Sequence, residues 1–167
     1  MATAVYAGVL TVFSLAQPTQ VIAAGTSHCW DDWCIAVDSA HRTHTIGSDT
    51  ADGDFVIVHA RVLSKAMRRR QRETDTRGAV LDEQGHLHEI SPRGELALKR
   101  LSGTHASLTD FVEPGGVNEV ALVFDVPSGT KRVEFQTLHG WFPGALIISE
   151  AGSLFHRPAV VVLSVVQ

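Results

Sequence analysis

The most regular alternation of hydrophobic and polar residues runs from Val117 to Val126 (VNEVALVFDV). On an extended backbone Val120, Leu122, Phe124 and Val126 share one side, which predicts a half-buried strand. Pro127 has no amide to give to a ladder and marks the strand's end. Lys131 to Leu138 alternates likewise around Val133 and Phe135. Trp33 to Ser39 places Trp33, Ile35 and Val37 on one face and Cys34, Ala36 and Asp38 on the other, another half-buried strand. Phe55 to Leu63 (FVIVHARVL) is denser in β-branched and apolar residues and predicts a central strand. Ala145 to Ser149 reads as a strand, and Pro158 to Val166 as a last one, apolar on both faces.

The punctuation between these runs fixes the rest. Thr43 to Asp54 is polar with two glycines and reads as a loop. Arg72 to Leu81 predicts a polar strand at a sheet edge, where charge discourages aberrant pairing. Asp82-Glu83-Gln84-Gly85 is a turn and His86 to Ile90 the returning strand, together a hairpin. Ser91-Pro92 combines a cap with a proline at the first helical position. Glu95 to Leu101 supplies helix formers, and Gly103 closes the helix. Pro114-Gly115-Gly116 is a tight turn. About eight short strands with one short crossover helix predict an all-β fold, an immunoglobulin-like β-sandwich.

Composition narrows the class. The chain has 167 residues, 44% hydrophobic and 19% charged, with a net charge of -4. This fits one globular domain with a short appendage, and excludes a disordered chain. The acidic balance argues against nucleic acid. Ala2 to Ala16 is apolar and uncharged, Gln17-Pro18-Thr19-Gln20 breaks the run, and small residues follow at Ala23 and Ala24. Residues 1–24 therefore read as a signal peptide or membrane-anchor remnant, and 28–167 as the sandwich domain. The competing reading of the apolar run is a buried first strand. The export reading implies an extracytoplasmic location, with membrane association through the N-terminal segment.

Cys29 and Cys34 stand just beyond that segment, in CWDDWC. A disulfide here closes a small loop and contributes on the order of 2 kcal/mol. The alternative is a pair of reduced thiols with Cys34 packed in a strand. A zinc site needs more ligands than this spacing offers. Beside an export-like segment the expectation is the disulfide.

Several strings resemble one known family: Cys29 to Val37 (CWDDWCIAV), Leu81 to Gly85 (LDEQG), Val112-Glu113-Pro114-Gly115 before Val117 to Pro127 (VNEVALVFDVP), and Ser153 to Pro158 (SLFHRP). They are similar to bacterial exported Ig-like domains of unassigned activity, found in lipoproteins and single-span anchored proteins. That family is related to a mycobacterial secreted immunoprotective antigen. The likeness spans roughly residues 29 to 158 and implies the sandwich fold and export. It implies no catalytic residues. No lipobox-style cysteine follows the apolar run, which argues against lipid anchoring.

Candidate chemistry is sparse. The chain has no G-x-S-x-G elbow and no Gly-rich phosphate loop. Among nine histidines, His86 and His88 lie two apart in a predicted strand, and His41 and His44 three apart at a loop edge. Either pair offers part of a zinc or copper site, with Glu89 or His105 as a third donor. The plainer reading is a set of exposed surface histidines. Arg68, Arg69 and Arg70, with Lys65 and Arg72, suit anionic headgroups or acidic polysaccharide, or form a solvated loop. Trp141 and Phe142 sit between glycines and Pro143, as recognition anchors or as a plug for the end of the sandwich. The expectation is a non-catalytic module without a cofactor, binding a protein or cell-envelope component. The alternatives are a histidine-based metal protein or small metalloenzyme, and a structural accessory domain of an envelope assembly.

Overall fold

The computed structural model describes residues 19–103, 105–138 and 159–166. Among these are nine strands and one helix. The strands are β1 (Val21–Ile22), β2 (Ser27–Trp30), β3 (Trp33–Ile46), β4 (Asp49–Ser64), β5 (Arg77–Leu81) and β6 (Leu87–Glu89), then β7 (Val117–Val126), β8 (Arg132–Leu138) and β9 (Val160–Val166). Helix α1 (Pro92–Ser102) lies between β6 and β7. The predicted strand Ala145 to Ser149 lies outside the described residues.

Strand order is β6-β5-β8-β9-β3-β4-β7, with β1 on β9 and β2 on β3. Strand β9 joins two layers. It pairs antiparallel with β8, then parallel with β3 through Val165 and Val166. The main core lies between the layers. Val56, Val58 and Val62 of β4 and Val120, Leu122, Phe124 and Val126 of β7 meet Val80, Val133, Phe135 and Leu163 from the opposite layer. The side of β7 expected to face inward does so, because each of its members buries apolar surface. Phe55 to Leu63 is central as expected, paired with β3 on one side and β7 on the other.

Helix α1 covers the other face of the β4–β7 pair. Ala97 and Leu98 pack over Phe55, Ile57, Ala121 and Val123. The Ser91 side chain accepts from the Gly94 amide and caps the helix, as its sequence predicts. Gly94 has a steric role: a Cβ there would collide with the Val123 side chain. Ser91 N donates to Val123 O (2.7 Å), and Glu95 Oε1 accepts from Val123 N (2.8 Å). With bridges from Ile90 to Phe124 and from Ala106 to Val120, these bonds occupy part of the β7 edge.

Three expectations need correction. Thr43 to Asp54 is not a loop: β3 runs to Ile46, the chain turns at Gly47 and Ser48, and β4 starts at Asp49. Burial of Ile46 and Ala51 in the cluster under α1 outweighs the poor strand propensity of this stretch. Only Arg77 to Leu81 of the expected polar strand is extended, and it is not at the edge, since β6 pairs outside it. Trp33 to Val37 is buried on both faces rather than one. In addition, Val21 and Ile22, read from sequence as part of the leader, pair with Val160 and Val161, and Ile22 joins the main core.

Candidate functional site

Strands β2 and β3 form a hairpin turning at Asp31 and Asp32, with Asp31 at φ +51°. Cys29 and Cys34 are directly opposed across it, and their sulfurs form a disulfide. Trp30 and Trp33 pack beside the bond, ring centroids 5.6 Å apart.

The same end of the sandwich carries the basic loop. Strand β4 ends at Ser64 and β7 starts at Val117, so the connections after β4 and before β7 emerge together. Lys65 N donates to Asp32 O (2.7 Å), and Gln71 exchanges backbone hydrogen bonds with Val112. Buried Ala66 roots the loop, while Lys65, Arg68, Arg69, Arg70 and Arg72 are exposed. Met67 is 93% exposed. The guanidinium carbons of Arg70 and Arg72 lie 4.1 and 5.1 Å from the centre of the Phe111 ring. Arg72 Nε also donates to Thr109 O. Cation–π stacking holds both arginines against the ring. None of the five cations forms an ion pair among the described residues. The sequence marked the arginines but not Phe111 or Met67, because no local pattern links positions 70 and 111. Trp141 and Phe142 lie outside the described residues.

His86 and His88 do come together, on the carboxylate of Asp82 in the turn between β5 and β6. Asp82 is buried. Its Oδ1 accepts from the amides of Gln84 and His86 (2.9 Å each). Its Oδ2 accepts from His88 Nε2 at 2.9 Å and lies 3.3 Å from His86 Nδ1. The His88 hydrogen bond, with help from the two amides, holds the Asp82 carboxyl at a pKa of about 2. The reading of both histidines as plain surface residues is therefore corrected for His88, whose side chain is 19% exposed. His86 stays exposed.

Among the described residues, the other histidines do not join them. His41 stacks on His59 with ring centroids 5.1 Å apart, and burial, reinforced by His59, lowers its pKa. His44 donates from Nδ1 to Gly53 O. His105 hydrogen-bonds Ser102. Among the described residues, no group of three or more His, Cys, Asp or Glu side chains is placed to hold a metal ion.

Beside α1 the outer face carries two adjoining hollows of about 450 and 370 Å³, which share His105 and Ala121. Their polar groups are mostly paired. Arg61 forks onto Asp38 at 2.7 and 2.8 Å, where a register shift after Val37 turns Asp38 outward. Burial raises the Glu95 pKa, while the Val123 amide opposes that shift. Ser102 Oγ donates to Leu98 O, so its single proton is engaged there and His105 Nε2 must donate to Oγ. In that arrangement the imidazole does not act as a base on the hydroxyl.

The chain matches no protein-family model and no curated protein. Solved structures match it in fold. They include the secreted protein MPT63 of Mycobacterium tuberculosis, at 9% identity and TM-score 0.54 over 89% of this chain and 99% of that one. An uncharacterized β-sandwich protein of Clostridium difficile matches at 10% identity and TM-score 0.52, over 87% and 95%. The yjhA protein of Bacillus subtilis matches at 9% identity and TM-score 0.53, over 89% and 99%. Identities this low speak for fold alone. The chain is an all-β sandwich protein, with a secreted protein among those it is similar to. No helix among the described residues is long and apolar enough to cross a membrane, and the apolar run before residue 19 lies outside them.

Proposed function

We propose that this chain is an extracytoplasmic, non-catalytic recognition module on an Ig-like sandwich, binding a protein or other cell-envelope component through its basic end. The location is supported by the Cys29–Cys34 disulfide, which persists in oxidising compartments, and by the likeness to a secreted protein. One observation carries the binding role. Lys65, Arg68, Arg69, Arg70 and Arg72 stand exposed around Met67, with Phe111 stacked under two of the guanidiniums. Elsewhere, polar groups of chemical interest serve the fold: Asp82 closes a hairpin and Glu95 ties α1 to β7. Arginine, methionine and aromatic residues are the types enriched where proteins meet partners.

The test is retention of purified protein on an immobilised envelope fraction, wild type against R68E/R69E/R70E. All three side chains are exposed, so the variant should fold and lose only the stacking of Arg70 on Phe111, a melting shift of a few degrees at most. Retention lost in the variant supports the reading. Equal retention of both proteins contradicts it.

A further inference from the structure

We infer that the basic end recognises a short acidic protein segment carrying a large apolar side chain, rather than a uniformly anionic surface; this rests on the reading of that end as the binding face. Two features of the end define the partner.

The first is the distribution of charge. The arginines are not alone: Asp31 and Asp32 in the β2–β3 turn, and Glu113 before β7, are exposed around the same loop. The bond from Lys65 N to Asp32 O fixes the first pair there. Ser64 N bonds Gly116 O, and Gly116 N bonds Glu113 O, which fixes the third. A flat anionic bilayer brought to this end meets these carboxylates as well as the arginines. A narrow acidic segment can lie on Arg68 to Arg70 and avoid them. The carboxylates thus select by repulsion while the arginines attract.

The second feature is apolar. Met67 is 93% exposed, Val117 52% and Phe111 45%, all at the end where β4 stops and β7 starts. Methionine adapts its shape to a partner's side chain. Phe111 is held in place by stacked guanidiniums, which can stack on a ring face and still offer their N–H edges to a carboxylate. Carboxylates beside one bulky apolar residue would match both features.

The experiment pans phage-displayed random dodecapeptides on the folded, disulfide-bonded protein. Vesicles of pure phosphatidylglycerol and poly-glutamate serve as competing probes. The expected result is a consensus of clustered Asp or Glu next to Leu, Met, Phe or Trp. Its binding should vanish with R68E/R69E/R70E, weaken about tenfold with Met67→Ser, and exceed binding to vesicles and poly-glutamate. No acidic consensus, a consensus that survives the arginine variant, or equal binding to vesicles or poly-glutamate overturns the inference. Such a result with envelope retention still dependent on the arginines would leave the basic end as the binding face and refute only its partner class.

Discussion

Asp82 Oδ2 accepts a hydrogen bond from His88 Nε2 at 2.9 Å, inside a hairpin whose turn amides bind the other oxygen of the same carboxylate. This contact separates two histidines that look equivalent in sequence. His88→Ala should lower the melting temperature by several degrees, because it strips a buried carboxylate of its strongest donor. His86→Ala should change it by a degree or two at most, since that ring is mostly in solvent. Thermal melts of the two single variants check this, and equal effects would contradict it.

The same carboxylate sets a pH dependence. Its pKa is about 2 in the folded chain against 3.8 for an ordinary aspartate. A depressed pKa means that the contribution is fully present above 3.8 and is lost as pH falls from there through about 2. Asp82→Asn should flatten the stability curve in that window. Urea midpoints across an acid series measure this.

Glu95 has a mechanical role at the β7 edge. Glu95→Ala leaves the Val123 amide without its acceptor and should cost about 1–3 kcal/mol. Glu95→Gln keeps an oxygen in place and should restore most of the loss. Chemical denaturation of both variants decides it, and an unrescued glutamine variant would show that the carboxylate's charge matters instead.

Phe124 is fully buried and packs edge-on against Phe135, centroids 6.3 Å apart. Phe124→Ala should cost about 3–5 kcal/mol. A melting temperature unchanged within a degree or two would refute the inward register of β7.

The disulfide is checked by mass. Protein from an oxidising compartment should lack two hydrogens relative to its reduced form, and should offer no alkylatable thiol before reduction. Two reactive thiols in native, oxidised protein would sink the assignment.

How far the sequence foretold these features follows from the range of the interactions involved. Strand β7 was legible because its alternation is local and each inward residue is apolar. The Ser91 cap and the Asp82–Gly85 turn were legible because their chemistry lies within a few residues. The long β3–β4 hairpin was not. Its Asp- and Gly-rich middle looks like a loop until cross-strand pairing and the cover of α1 are added. The basic end was half legible. Arg68 to Arg70 declare themselves, but Phe111 acquires its place through a Gln71–Val112 contact that no short pattern encodes. The convergence of His86 and His88 on Asp82 was missed for another reason. A turn-forming aspartate gives no sign in sequence that its second oxygen faces the returning strand.

The most direct measurement of the central claim is site-specific photo-crosslinking at the cell envelope. A p-benzoylphenylalanine replaces Met67 in the basic loop in one protein, and Ser128, in the turn after β7 at the opposite end of that strand, in another. The account predicts a discrete crosslinked product from position 67, abolished when R68E/R69E/R70E is added, and none from position 128. A product from position 128 alone, or one from position 67 that survives the arginine changes, would contradict it.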